Sequence, residues 1–264
     1  MPNHRRSVQI ILFCFALAAL LLGNGCAMAP GRDDTVTANG PPNQSNPFLR
    51  AAKSAFYDYG TWPLLLGAAL FGVSDYDTEV ADYAMEHRPL FSTNDSAERT
   101  TDTLRRLSYV FTYGTALAVD EGWRNKGERV LTESTALFTT RLVTKQMNLQ
   151  VDREYPNGSG NDSFGSHHAA SPFAAAALTR RNITNIDMPR WSAISINASA
   201  YTAATVSAWG RIEMGLHYPS DQLASAAVGN FVAIFFHDAF LSQKTMVDLS
   251  LLPGGGYLAL HVPF

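Results

Sequence analysis

The sequence predicts an all-α body, a bundle of helices, closed by a short C-terminal β-hairpin. Three observations carry this. Apolar residues recur at helical spacing from Phe48 onward, strand-like alternation is nearly absent before residue 245, and 46% of the 264 residues are apolar against 16% charged. That balance suits one compact, well-cored domain and excludes intrinsic disorder of the whole chain.

Residues 1–25 read as a secretory signal peptide: His4, Arg5 and Arg6 form a charged start and Val8–Gly23 an apolar run broken only by Gln9. Cleavage before Cys26 resembles a bacterial lipoprotein signal and makes Cys26 the lipidated residue, with Gly23 where that pattern prefers Leu. Cleavage after Ala27-Met28-Ala29 is the competing reading, and Pro30 suits it poorly. An uncleaved anchor, or an Arg5-Arg6 twin-arginine signal, is a further reading of the same residues. The preferred one places the protein as exported, a periplasmic or outer-membrane lipoprotein held to the membrane by its anchor. Residues 26–47, rich in Pro, Gly, Asn and Asp, have too few large apolar side chains to order themselves and read as a tether.

The helical domain is expected over 48–244, with helices at about 48–58, 61–73, 76–87, 95–119, 121–148, 171–181, 189–214 and 219–241. In 121–148, Val130, Leu131, Leu137, Phe138, Leu142 and Met147 predict one buried stripe, with Lys145 at its edge. Ser171-Pro172 is a good helix start, Gly215 a helix stop, and Pro219 suits the first position of a new helix. No segment offers about 20 uninterrupted apolar residues: 62–73 is short, and 223–240 carries Asn230, His237 and Asp238, so the mature body reads as water-soluble. The tail, 245–264, reads as a hairpin around Gly254-Gly255-Gly256.

Charge narrows the partners. Lys plus Arg number 20 against 23 acidic residues; the signal removes Arg5 and Arg6 and no acid, leaving 18 against 23, a balance of −5. No basic footprint for nucleic acid exists. Both cysteines, Cys14 and Cys26, precede the folded part, which therefore has neither a disulfide nor a thiolate metal ligand.

The chemistry concentrates in the second half. In Gly210-Arg211-Ile212-Glu213-Met214-Gly215-Leu216-His217-Tyr218-Pro219-Ser220-Asp221, His217 falls in a short connection and Asp221 in the first turn of the next helix, able to reach back to the ring. A carboxylate on one imidazole nitrogen leaves the other free as base or nucleophile. Taken alone, Asp221 would only serve the helix dipole and His217 would be structural; the combination, with Arg211 one turn before the stop, points to chemistry. Upstream, the loop Arg153–Asp162 has the composition of a flexible approach to a ligand. It leads into Ser163-Phe164-Gly165-Ser166-His167-His168, where Ser166 offers a hydroxyl and an amide to an oxyanion. A zinc site of His167, His168, His217 and Asp221 can be drawn, but it lacks the tight spacing of His-Glu-x-x-His, so no metal is expected.

These residues resemble the type 2 phosphatidic acid phosphatase superfamily, histidine phosphatases that share a fold with bacterial class A acid phosphatases and vanadium haloperoxidases. The family's Ser-Arg-x5-His-x3-Asp motif matches at full spacing through Arg211, His217 and Asp221, with Gly210 for Ser. Its Pro-Ser-Gly-His motif matches through Ser166 and His168, with Gly165 for Pro and His167 for Gly; reading Gly165-Ser166-His167 instead would select His167. Its Lys-x6-Arg-Pro motif is the weakest match, with Lys145 followed by Arg153 one residue late and the proline at Pro156. Arg88-Pro89 has Ala81 where the lysine belongs and is not the motif.

The resemblance covers roughly 95–240 and implies a helical bundle of that family's kind and a metal-independent phosphatase. His217 would attack phosphorus with Asp221 orienting it, and His168 would protonate the leaving oxygen. Lys145, Arg153, Arg211 and Ser166, with His167 beside them, would hold the phosphoryl oxygens, and three cations around one dianion need no metal cofactor. The implied substrate is a phosphorylated small molecule or lipid. Vanadate would inhibit, or would be the cofactor if the chain were a haloperoxidase. The departures at Gly165, His167 and the Lys145–Arg153 spacing also admit a non-catalytic envelope lipoprotein on the same fold. In this family the helix starts near Ser166, which puts Pro172 inside it and predicts a kink or irregular first turn.

Overall fold

The computed structural model describes residues 46–242, 246–252 and 255–261. The expected signal peptide, Cys26 and nearly all of the tether lie outside the described residues. Eight α-helices lie among the described residues, in order: α1 Pro47–Tyr57, α2 Trp62–Gly72, α3 Tyr76–His87, α4 Asn94–Ala118, α5 Trp123–Gln150, α6 His167–Ile183, α7 Arg190–Glu213 and α8 Pro219–Phe236. Local chemistry sets their ends. Asn46 accepts from Phe48 N at 2.9 Å with Pro47 next to it, and Thr93 and Ser96 form a reciprocal cap on α4. At α8, Pro219 takes the first position and Asp221 accepts from Tyr218 N at 2.9 Å.

The core is built on α6 and α8, which share the most extensive contact in the molecule. Their facing positions are small: Ala170, Ala174, Ala177, Ala224 and Ala227 are fully buried. At Gly229 any Cβ would lie 2.0 Å from the Ala170 carbonyl oxygen, so the two backbones meet where only glycine fits. The remaining helices wrap this pair. Asp58, just past α1, accepts from Arg180 of α6 at 2.6 Å and from Asn230 of α8 at 3.0 Å, fixing the α1–α2 corner on the core.

Helix α6 starts at His167, four residues before the Ser171-Pro172 start, and runs on through the buried Pro172. Proline cannot donate to the His168 carbonyl one turn earlier; the Ser207 hydroxyl of α7 donates to that carbonyl instead, at 2.8 Å. The lost bond is replaced from a neighbouring helix, so the helix need not end.

The stripe expected on α5 is wrong. Leu137 and Met147 are buried, but Leu131, Phe138 and Leu142 are exposed, and the inner face is Arg129, Glu133, Ala136, Thr140 and Thr144. The hydroxyls of Thr140 and Thr144 donate back to the Ala136 and Thr140 carbonyls at 2.9 and 2.7 Å, so these two side chains are satisfied within the helix and stay small enough for it to approach α6 and α8 closely. Pro219–Leu241, which ends in a π-helical turn at His237–Leu241, proves long and apolar enough to cross a membrane despite Asn230, His237 and Asp238. It is the helix that the others bury. After it, strands β1 Met246–Leu252 and β2 Gly255–His261 pair antiparallel, Met246 opposite His261 and Leu252 opposite Gly255. The expected hairpin is present, and its second strand begins at Gly255, inside the glycine run.

Candidate active site

One end of the bundle gathers the N-termini of α6 and α8, the C-terminus of α7 and the loop 151–165. That loop is internally bonded rather than loose: Arg153 N donates to Asn161 O, Ser163 N to Arg153 O and Tyr155 N to Gly160 O. Asn157 N reaches Gly215 O at 3.1 Å, and the Asn148 amide of α5 donates to Asp162 O and Phe164 O. Gly165 has φ +101°, a conformation closed to proline, and a Cβ there would sit 2.7 Å from Thr144 O. This turn feeds the chain into α6 with Ser166 at its N-cap. The Ser166 amide is taken by the Ser225 hydroxyl at 2.8 Å, while its own buried hydroxyl has no partner. That hydroxyl and the first free amides of α6 face the positive end of the helix dipole, an arrangement suited to an anion.

His217 is half-buried, and its Nδ1 lies 2.6 Å from Ser163 O. A carbonyl only accepts, so Nδ1 donates and Nε2 keeps its lone pair. Asp221 does not make this contact. Its carboxylate is fully buried and accepts from the Ser163 hydroxyl at 2.6 Å, from Tyr218 N and from Arg153. Asp221 therefore acts on His217 through Ser163, whose hydroxyl it holds and whose carbonyl holds the ring. Burial pushes the Asp221 carboxyl up to about 6 even with Arg153 beside it.

Arg153 is closed off. Its guanidinium donates to Asp221, to the Ser220 hydroxyl at 2.8 Å and to Asp77 of α3 at 2.7 Å, and it lies over the Tyr218 ring at 4.0 Å. Burial works against the cation, but Asp221 and Asp77 hold it firmly charged. Asp77 also accepts from Ser220 N at 2.8 Å, capping α8. Two carboxylates already claim one guanidinium, so Arg153 has nothing to offer a phosphate.

Arg211 is the opposite case. It is 8% exposed, and its Nη2 lies 2.8 Å from both ring nitrogens of His168. Its Nε is buried without a partner, and no carboxylate lies within ion-pair distance among the described residues. His168 is buried, with Nε2 2.8 Å from Asp102 of α4, and its ring stacks tilted on the exposed His167 at 4.1 Å. Loss of water around the rings, then the guanidinium of Arg211, pushes His168 down to about 3. His167 is pushed to about 4 by the same desolvation followed by Arg105, Arg211 and Arg141. His217 falls to about 3 through burial, with Arg211 and His167 adding to it against the Ser163 carbonyl. Burial and the surrounding arginines thus favour the neutral form of all three rings.

The structure brings His168, His167, Ser166, Arg211 and His217 together, and puts Asp221 and Arg153 behind them. It leaves Lys145 out: the side chain is exposed on α5, with no hydrogen bond or ion pair to any described residue. The cations acting on His167 come instead from Arg105 and from Arg141, one turn before Lys145. Asp77, Asp102, Arg105, Arg141 and Ser163 escaped the sequence reading. Asp102 and Arg105, three apart on a helix, look like an ordinary surface pair, and only Arg141, on the same face as Lys145, carried a usable hint. Gly210, where the family has Ser, is imposed by packing: a Cβ there would lie 2.5 Å from Thr101 of α4. Among the described residues no group of three or more His, Cys, Asp or Glu is arranged to hold a metal ion.

Among known families, the model described as PAP2 superfamily matches residues 62–244. No curated protein and no solved structure matches the chain significantly.

Proposed function

The chain belongs to the PAP2 superfamily, whose members suggest phosphatase or haloperoxidase-type activity, and from that premise we propose that it is a metal-independent phosphatase cleaving phosphomonoesters through a phosphohistidine on His217. The observation that carries the reading is Arg211: a buried guanidinium with no carboxylate partner, acting on both His168 and His217. Burying an unpaired cation is costly, and a phosphoryl dianion is the group that would offset it.

His217 Nε2 attacks phosphorus, the N–P bond forms as the P–O bond to the leaving group breaks, and protonated His168 gives its proton to the departing oxygen. Water then attacks phosphorus and returns a proton to His168; the N–P bond breaks and inorganic phosphate leaves. Asp102 stabilises the imidazolium of His168, and the incoming dianion raises the pKa of the same ring. Arg211, Arg105, Arg141, the Ser166 hydroxyl and the α6 amides neutralise the equatorial oxygens, so the reading invokes no metal. The substrate is a phosphorylated small molecule or lipid, met by an exported protein that Cys26 anchors.

Release of phosphate from p-nitrophenyl phosphate by the purified protein in EDTA tests this. Turnover should persist in EDTA, be inhibited by vanadate and be abolished in His217→Ala. Turnover surviving in that variant, or bromide oxidation by peroxide and vanadate without phosphatase activity, would overturn the reading.

A further inference from the structure

We propose that the outer face of α2 docks flat onto a lipid bilayer. No charged residue falls between Asp58 and Asp75, and α2 is apolar on every side. One face packs on α8, where Ala68 is buried and a Cβ at Gly67 would touch Leu223. The opposite face presents Trp62, Leu66, Leu70 and Val73 at 46, 52, 59 and 57% exposure, a row at helical spacing with no polar side chain in it. Tyr59 is exposed at one end of the row and Tyr76 at the other, amphipathic rings of the kind that settle at a membrane interface. The exposed apolar residues of α5, Leu131, Phe138, Leu142 and Leu149, also share one side of their helix, but Thr135 and Lys145 border that row, whereas the α2 row has no charged neighbour on its own helix.

Two further observations select lipid over a second copy of the chain. Four half-exposed side chains offer on the order of 400 Å², about half of what each partner of a standard interface buries. The anchor of the proposed function, Cys26, also stands 21 residues before α1 in a segment of linker composition, and a random-coil chain of about that length spans on the order of 25 Å. Tethering at that range supplies a high effective concentration, so even weak apolar burial holds the face down. Asp75, Glu79 and Asp82 flank the row, so docking is driven by burial rather than by attraction to anionic lipid. At its C-terminal end α2 meets the start of α8, where a Cβ on Gly72 would lie 3.8 Å from Ser220, so docking sets the His217 loop beside the bilayer.

The inference does not depend on the chemistry at His217. Its test is tryptophan quenching in full-length chain reconstituted in dioleoylphosphatidylcholine vesicles, with and without phosphatidylcholine brominated at acyl positions 6 and 7. The emission of Trp62, read as the difference between wild type and Trp62→Phe, should fall at least two-fold with brominated lipid. The emission of Trp123, 84% exposed on α5 and read in the same way, should not change. Leu66→Glu combined with Leu70→Glu, both at exposed positions, should abolish the Trp62 quenching while circular dichroism stays that of the wild type. Equal quenching of Trp62 and Trp123 overturns the proposal, as does a chain that stays free of the vesicles. So does a Trp62 shielded from aqueous acrylamide only as protein concentration rises, the signature of a second copy on this face.

Discussion

Arg153 lies between two buried carboxylates, Asp77 and Asp221, whereas Arg211 has no carboxylate within ion-pair distance and donates to the ring of His168. The Arg153 side chain is largely withdrawn from solvent and Arg211 is buried, and both adjoin a histidine-bearing turn. The difference is charge balance. Around Arg153 the acids outnumber the cation, so the cluster is complete without a ligand and serves to fasten α3, α8 and the 151–165 loop. Around Arg211 the cations outnumber the acids, since Arg105, Arg141 and Arg211 all act on the His167–His168 pair or its neighbourhood against Asp102 and Glu98. A cluster with surplus positive charge around a buried guanidinium is what a phosphoryl group would complete, and sequence position does not distinguish the two cases.

The largest effect should come from Arg153→Leu. Removing the cation leaves Asp77 and Asp221 buried and uncompensated, and about 3–5 kcal/mol of stability should be lost in urea unfolding. A loss under 1 kcal/mol would mean the network is looser than the distances say. Arg211→Ala should do the reverse. Phosphatase kcat/KM should fall about 10²–10³-fold, as for other groups that hold transition-state charge, while Tm stays level or rises because an unpaired buried charge is gone. A variant that lost stability and kept its activity would reverse the roles assigned to the two arginines.

Acid titration offers a middle-sized effect. His168 and His217 have folded pKa values near 3, well below the unfolded 6.5, so the unfolded chain takes up their protons first and stability is lost as pH falls below about 6.5. Asp221, whose folded pKa is raised to about 6, binds a proton in the folded state between about pH 6 and 4 and offsets one ring's share. Added vanadate should flatten the decline, since an anion at Arg211 raises both histidine pKa values; a decline unaffected by vanadate would place the anion elsewhere. The smallest effect is expected at Lys145→Ala, with kcat/KM changing less than about two-fold and stability within about 0.5 kcal/mol, against about ten-fold in KM for Arg141→Ala. Steady-state kinetics of the pair decides which residue of that α5 face serves the site.

Much of this was legible locally. Helix order, the Gly215 stop and the Pro219 start depend on backbone rules within a few residues, and they hold. The spacing of Arg211, His217 and Asp221 spans a single turn between helices, so the chain itself brings these residues near one another. Ser163 was overlooked because it works through a carbonyl, which every residue has, and Asp102 because its partner His168 is far along the chain. The stripe on α5 misled for a related reason. Periodicity locates an apolar face, but α5 buries the face whose small and threonine side chains allow the closest approach to α6 and α8.

By itself the sequence determined the order of the helices, most of their ends and the make-up of the Arg211–Asp221 turn, because capping, proline geometry and helical period are short-range effects; the start of α6 was the exception. Only the tertiary structure decided which arginine is spent on carboxylates and which has none within ion-pair distance, that Arg141 and Arg105 rather than Lys145 act on His167, and that Ser163 bridges Asp221 and His217. Those outcomes depend on which side chains from α3, α4 and α5 are packed against the loop, and burial, which sets the cost of each charge, exists only once the chain has folded.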